Sequence, residues 1–483
     1  MQRQLAIACG VLIALVLAAA PAVHTQAPAA NPRVDAIFKT WDRADSPGCA
    51  IGAIQNGRFV YTRGYGMANL DYGLKNSPTM VYYVGSVSKQ FTAASVALLA
   101  AEGRIGLDDP VRKYIPELRE YGAPLTVRHL VHHTSGIRDI YTLMSLGGIR
   151  MEDVFPDDDA LGLIARQKEL NFPPGSDYLY SNSGYWLLGQ IVERVTGESL
   201  REYARKKLFE PLGMTHTHFH DDPGHVMADR VVSYARTGTA EYRIADLGNF
   251  DKIGAGGLYT TVEDLLKWDA NFYEPKVGGP EWLKVMQTPG TLTTGGPMNY
   301  AFGLTIGTHR GLRTVRHGGS LMGFRAELLR YPDQRFTAIV LCNFGSIAPA
   351  GLAERMAEVF IGDRMQPAPA TQAAAAGAGS PAGARGRGAA PGPPPVLDRA
   401  ALAAYEGTYR SEEVQADYTI KVAAGALVLE RRLSAPATLQ AVATDEFRAG
   451  NLTLKFNRDA GGRTSAFTVE AGRVRNIRFD RVR

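Results

Sequence analysis

Ser86-Val87-Ser88-Lys89 sets a hydroxyl and an amine three positions apart. A helix brings positions i and i+3 onto one face, so the Lys89 amine stands beside the Ser86 hydroxyl. A hydroxyl at its ordinary pKa is a poor nucleophile, and an adjacent base activates it. Lysine serves as that base only where burial or neighbouring positive charge lowers its pKa towards neutrality. Ser86 also opens a predicted helix over residues 86–102, whose first unpaired N–H groups favour developing negative charge. Alone the tetrapeptide is a weak signal, because a surface helix with an N-terminal serine carries the same pattern. Two later segments strengthen it. Tyr180-Ser181-Asn182 follows Pro173-Pro174-Gly175 and precedes an apolar helix, which predicts polar side chains held on a loop. His317-Gly318-Gly319-Ser320 precedes a strand candidate at 324–331, and its small residues leave a strand edge open to a substrate backbone.

The elements that must position these groups are legible as two units. Residues 49–55 and 58–64 flank Asn56-Gly57, a dipeptide suited to a two-residue hairpin turn. The 86–102 helix lacks Gly and Pro and is followed by Gly103 at the C-cap region. Further helices are predicted at 183–196, 200–208 and 262–272. A second hairpin, 324–331 and 336–343 around Pro332-Asp333, leads into a helix over 348–360. Strands at both ends with helices between them predict an α+β unit over 32–362, an antiparallel sheet flanked by helices plus a helical region. Residues 363–397 are rich in Ala, Pro and Gly and read as a linker. Beyond it, short strand candidates at 418–422, 427–430, 447–448, 452–457, 467–470 and 474–479 predict a small all-β, barrel-like domain over 398–483.

Composition excludes some classes. The net charge is +5 on 483 residues, with 53 Lys+Arg and 48 Asp+Glu spread along the chain, so no basic face forms for nucleic acid. Arg3 followed by an apolar run from 5 to 20 and Pro21 reads as a secretory signal peptide over 1–27. That run is shorter than the roughly 20 residues of a spanning helix, so the mature protein is expected to be periplasmic or secreted, with no membrane partner after cleavage. Cleavage removes Cys9 and leaves Cys49 and Cys342. His216-Thr217-His218-Phe219-His220-Asp221, with His225, has the residue types of a zinc site, but a metal needs converging geometry, not density. No HExxH, phosphate loop or G-x-S-x-G elbow is present, so neither cofactor nor metal is expected.

The order of the three motifs resembles the serine β-lactamase and penicillin-binding-protein superfamily, in which S-x-x-K, a Tyr-x-Asn or Ser-x-Asn loop and a Lys-Thr-Gly strand surround the site. The Tyr-x-Asn form points to the class C branch. Leu130-Val131-His132-His133-Thr134-Ser135-Gly136-Ile137, Pro211-Leu212-Gly213-Met214 and Gly254-Ala255-Gly256-Gly257-Leu258 with Asp264 also look like that branch. The resemblance implies Ser86 as nucleophile, Lys89 as its proton partner and Tyr180 as a general acid or base whose phenolate the lysine favours. It implies Asn182 on the substrate's acyl side chain, and an oxyanion hole of the Ser86 and Ser320 N–H groups beside Gly319. It makes His132 and His133 structural and places a surface turn after Met214.

One departure alters the expected substrate. His317-Gly318-Gly319 stands where the resembling enzymes carry Lys-Thr-Gly, removing a fixed cation and a hydroxyl, and histidine is only partly charged near neutral pH. With His317 in a substrate-side role, the expected activity shifts to an esterase, or a peptidase or amidase, acting on small D-amino-acid peptides or esters. A class C-type β-lactamase is the alternative. A non-catalytic relative that binds penicillin or peptidoglycan peptides, or forms filaments, is another. The partner in the leading case is a small-molecule or short-peptide acyl substrate. In the resembling fold the strands of Cys49 and Cys342 are antiparallel neighbours, which implies a disulfide as the alternative to two buried thiols. Tyr405-Glu406-Gly407-Thr408-Tyr409 and Ile477-Arg478-Phe479 resemble the lipocalin-like β-domains appended to such hydrolases.

Overall fold

The computed structural model describes residues 30–367 and 397–482, except 239, 240, 247 and 250. The signal-peptide reading at 1–27 and most of the 363–397 linker lie outside the described residues. Asn56 and Gly57, at φ 53° and 78°, turn strand Cys49–Gln55 back onto Arg58–Tyr65, as the dipeptide predicts. Cys49–Gln55 pairs on its other side with Phe336–Cys342, so the first and last strands of the large unit lie together. Three further strands complete a six-stranded antiparallel sheet in the order Thr305–His309, Leu312–Leu321, Phe324–Tyr331, Phe336–Cys342, Cys49–Gln55, Arg58–Tyr65. The sequence marks only the 317–320 end of Leu312–Leu321 and misses Thr305–His309; in the former, Arg313 and Arg316 break the apolar alternation that marks a strand.

The sheet buries both faces by period-two alternation. Ile51, Leu329, Tyr331 and Val340 pack against helices Pro32–Phe38 and Pro349–Ile361 through Val34, Phe38, Leu352 and Met356. Ala50, Ile54, Leu328, Ile339 and Leu341 join the larger core, which holds helices Lys89–Ala101, Asn182–Thr196 and Val262–Ala270. Lys89–Ala101 is mostly apolar and buried on nearly every side, its polar Lys89, Gln90, Thr92 and Ser95 included, the pattern of a central helix. Trp268 Nε1–H donates to Gln90 Oε1 at 2.7 Å and Trp282 Nε1–H to Ala94 O at 3.3 Å, fixing that helix's rotation. Residues at the start of the predicted linker pack on the sheet domain: Gly362–Arg364 adds a helical turn, and Gln366 N–H donates to Arg310 O at 2.9 Å.

The C-terminal unit is a closed eight-stranded barrel running from Gly407–Ser411 to Val474–Arg481. Strands Gly407–Ser411 and Ala437–Ala443 escaped the sequence pattern, the second because its alanines and Gln440 give little β signal. Phe456, Phe467, Phe479, Tyr409 and Tyr418 fill the interior in a chain of ring contacts. A barrel of this size is filled by side chains. Among the described residues no helix is long and apolar enough to cross a membrane.

A disulfide joins Cys49 to Cys342 across 293 residues of sequence, tying the sheet domain's first strand to its last. Alkylation of denatured, unreduced protein is expected to label neither cysteine. A Cys49→Ser, Cys342→Ser variant should lose about 2–4 kcal/mol of stability in denaturant titration. Two labelled thiols would refute the bridge.

Candidate active site

The nucleophile candidate enters its helix through a tight turn. Gly85–Ser88 is a 3-10 turn that runs directly into helix Lys89–Ala101, where the sequence predicted one continuous helix from Ser86. Ser88 Oγ–H donates to Gly85 O at 2.6 Å and accepts from Leu258 N–H at 3.1 Å, so the turn is held from behind. Its outer side presses on the strand that carries the third motif. The neighbouring edge strand pairs only as far as Thr305↔Arg316, so residues 317–321 have no strand partner on that side. This is the open edge expected from the small residues. A Cβ on Gly319 would stand 1.9 Å from Val84 O, and one on Gly85, already at φ 54°, would stand 2.6 Å from Ser320 N. Only glycine at both places lets the turn and the edge approach so closely, which sets the backbone N–H groups of Ser86 and Ser320 beside one cleft.

Lys89 is wholly buried, with Nζ 3.1 Å from Ser86 Oγ, 2.9 Å from Asn182 Oδ1 and 2.6 Å from Ala255 O. Burial, reinforced by the charge of Arg473, pushes its pKa well below the ordinary lysine value. Once deprotonated, the amine has two N–H groups for Asn182 Oδ1 and Ala255 O, and its lone pair is then free to take the Ser86 proton.

Tyr180 sits on a loop supported from beneath by the 130–137 segment. Gly175 N–H donates to Thr134 O at 2.8 Å, Leu179 N–H to His133 O at 3.0 Å, and Ser181 N–H to His133 Nδ1 at 3.2 Å. The His133 ring lies 4.2 Å from the Tyr180 ring, and burial holds it neutral. The Tyr180 hydroxyl hydrogen-bonds Ser86, and Lys89 Nζ lies 4.7 Å from the ring centroid. The phenolate expected at Tyr180 is corrected here. Burial pushes the phenol above its usual range, outweighing Ser86 and Arg473, while burial pushes the Lys89 amine down.

Asn182 is also placed differently from the loop reading, as the first residue of helix Asn182–Thr196. Its N–H and its Nδ2 both donate to Asp139 Oδ2 at 2.8 Å, which fixes the amide and turns Oδ1 towards Lys89. One Nδ2–H is left for a substrate. Asp139, which the sequence reading missed, accepts from Thr142 N–H at 3.1 Å and caps helix Ile140–Leu146. An aspartate before an apolar run is the N-cap signal that marks it.

His317 faces the site from the open strand but is buried. Nδ1 lies 2.6 Å from Gly318 O and Nε2 3.0 Å from the Tyr300 hydroxyl. A carbonyl only accepts, so Nδ1 carries the proton and Nε2 accepts from Tyr300. Burial, with Lys89 adding to it, lowers the pKa of His317 to about 3. The partial charge expected near neutral pH is therefore absent. Gly319 is buried and Ser320 exposed on the same strand. The cation of the site comes instead from Arg473 on the barrel, whose guanidinium carbon lies 4.6 Å from the Tyr180 ring centroid.

The rings of His218, His220 and His225 do gather, with centroids 5.6–6.1 Å apart. Among the described residues no set of three His, Cys, Asp or Glu side chains is arranged to hold a metal ion.

The family model described as Beta-lactamase matches residues 34–361. A D-aminopeptidase of Cereibacter sphaeroides is 32% identical over 313 residues, which is 64% of this chain and 59% of the relative. The chain thus spans about three-fifths of the length of that relative. A D-aminopeptidase of Gluconobacter oxydans is 26% identical over 420 residues, covering 87% of this chain and 73% of its own. Among solved structures, the octameric penicillin-binding protein homologue from Pyrococcus abyssi aligns at TM-score 0.59 and 25% identity, over 90% of this chain and 95% of that one. The D-amino acid amidase from Ochrobactrum anthropi SV3, complexed with L-phenylalanine, shares the fold at TM-score 0.59 and 19% identity, over 69% of this chain and 100% of that one.

Proposed function

Because this chain belongs to the beta-lactamase family, we propose that it is an exported serine hydrolase that works through an acyl-enzyme on Ser86 and acts on small D-amino-acid amides, peptides or esters. The observation that carries the reading is the buried Lys89 amine 3.1 Å from Ser86 Oγ, with its other contacts filled by acceptors. Lys89 takes the Ser86 proton as Oγ attacks the acyl carbon. The oxyanion is received by the N–H groups of Ser86 and Ser320. Tyr180 passes its phenolic proton to the departing amine or alkoxide and is reprotonated from Lys89, which leaves both groups neutral. In the second half a water gives its proton to the same pair, attacks the ester on Ser86, and the serine leaves with a proton returned.

The D-amino-acid preference is supported by the D-aminopeptidases among its relatives. Export is supported by the 1–27 segment and by the Cys49–Cys342 disulfide, a bond that persists in oxidising compartments. A neutral His317 offers no charge to the carboxylate of a β-lactam, which weighs against a β-lactamase.

Intact-mass analysis of protein purified from the periplasm or medium tests the proposal. Loss of residues 1–27 and one fluorophosphonate adduct, mapped to the Ser86 peptide, are expected. D-alanine p-nitroanilide should be hydrolysed at least about tenfold faster than its L isomer. A folded protein that forms no adduct would be a binding relative instead.

A further inference from the structure

Arg473 reaches the site from the turn between barrel strands Thr464–Ala471 and Val474–Arg481. The backbone from Arg473 to Asn476 is fastened to the sheet domain. Asn171 Nδ2 donates to Arg473 O at 3.0 Å, Arg475 N–H donates to Asn171 Oδ1 at 2.8 Å, and Arg138 donates to Arg475 O and Asn476 O at 3.0 Å each. The side chain itself is 44% exposed, and its nearest carboxylate is Asp139 Oδ2 at 3.9 Å. That carboxylate is already committed to the N–H and Nδ2 of Asn182 and, through its other oxygen, to Thr142 N–H. The backbone that carries the guanidinium is thus fixed, while the group itself, beside the Tyr180 ring, is partly open to solvent.

That space is a cavity of about 260 Å³ between the two domains. Asp139, Tyr141 and Asn182 line it from the sheet domain, and Arg431, Asn451 and Arg473 from the barrel. Two arginines against one hydrogen-bonded carboxylate leave the cavity with an excess of positive charge. It opens beside Asn182, and none of residues 317–320, on the opposite wall of the cleft, lines it.

We propose that this cavity is the acyl-side specificity pocket, and that Arg473, backed by Arg431, selects acyl groups bearing a carboxylate, such as an acidic D-aminoacyl group or the monoacyl group of a dicarboxylic acid. The proposal rests on the acyl-enzyme reading above and names its substrate class. An arginine fork matches a carboxylate in a two-point geometry that other cations do not reproduce. The barrel then supplies the positive charge that the third motif lacks.

The test uses two esters with one leaving group, p-nitrophenyl valerate and mono-p-nitrophenyl glutarate, which differ in an acyl terminus that is methyl or carboxylate. Arg473 also bears on Lys89, but any change in nucleophile activation acts on both esters and cancels in the ratio of their kcat/KM values. The wild type is expected to favour the glutarate ester. Arg473→Gln should lower the glutarate-to-valerate ratio at least about tenfold, mostly through KM. Arg473→Lys should keep part of the preference, and Arg473→Glu should reverse it. Circular dichroism establishes that each variant is folded. An unchanged ratio in Arg473→Gln, or a wild type that favours valerate, would overturn the pocket assignment while leaving Ser86 chemistry intact. A folded wild type that turns over neither ester would overturn the hydrolase reading, and this assignment with it.

Discussion

Ser86→Ala and Lys89→Met are each expected to lower kcat/KM by about 10⁴-fold or more, and the double variant should be no slower than the slower single one. The reason is geometric. Lys89 Nζ touches three partners, of which only Ser86 Oγ reacts, while Asn182 Oδ1 and Ala255 O serve to orient it. Without the amine the Ser86 hydroxyl loses the base that takes its proton. Without the hydroxyl the amine has nothing to deprotonate. Two groups that act as one unit lose their effect together, so their free energies do not add. Additive losses in the double variant would mean that each group acts separately and would contradict the assignment. Lys89→Met should also cost stability, because Asn182 Oδ1 and Ala255 O lose a buried donor. Thermal unfolding of each variant separates that cost from the catalytic one.

The same geometry fixes the sign of the pH dependence. Lys89 works as a base only when neutral, so kcat/KM rises with pH through the pKa of the resting pair. Burial and Arg473 both lower the Lys89 pKa, which places that rise at lower pH than an ordinary lysine would give. Removing the positive charge in Arg473→Gln moves the ascending limb to higher pH, and Arg473→Lys should leave it nearly in place. A profile that does not move would show that the guanidinium is too well screened to act on the amine.

These contacts differ in how far the sequence reveals them. Ser86 and Lys89 meet because three residues of one helical segment separate them, a local relation that any reader of the chain can draw. The Asn56-Gly57 hairpin is equally local. Asn182 is less legible, because the direction of its amide depends on Asp139, which lies on another element. The upward shift of the Tyr180 phenol is hidden for a different reason. Desolvation depends on how completely His133, Tyr300 and the barrel cover the ring, and no residue pattern encodes that quantity. Arg473 is the extreme case. In sequence it follows a glycine in a β-turn and looks like any solvated arginine, and only the docking of one domain on the other brings it to Tyr180.

A buried ion pair lies within that docking contact, and Glu413→Ala is expected to loosen it. Arg138 and Glu413 have side chains 0% and 4% exposed, with Nη1 2.6 Å from Glu413 Oε2. Arg138 also donates to Gln167 Oε1 at 3.1 Å, and Glu413 Oε2 accepts from Lys168 N–H at 2.7 Å. Truncating Glu413 leaves a guanidinium buried without its counter-charge, a change that costs about 3–5 kcal/mol. Neither the sheet core nor the ring-filled barrel uses this pair, so the cost falls on the contact between them. A two-domain chain need not unfold in one step, so a single melting temperature reads this poorly. Hydrogen exchange should instead rise in residues 473–476, which Arg138 and Asn171 hold. Activity should shift with it, because a released turn takes Arg473 from Lys89 and moves the ascending pH limb in the same direction as Arg473→Gln. The double variant Arg138→Met, Glu413→Leu separates charge from packing. Apolar groups of similar volume often replace a buried pair at little cost, so stability should recover, while exchange at 475–476 stays raised because Arg138 no longer donates to Arg475 O and Asn476 O. Unchanged exchange in Glu413→Ala would show that the barrel is held elsewhere, and Tyr418 Oη donating to Leu146 O at 2.9 Å would be the next contact to cut.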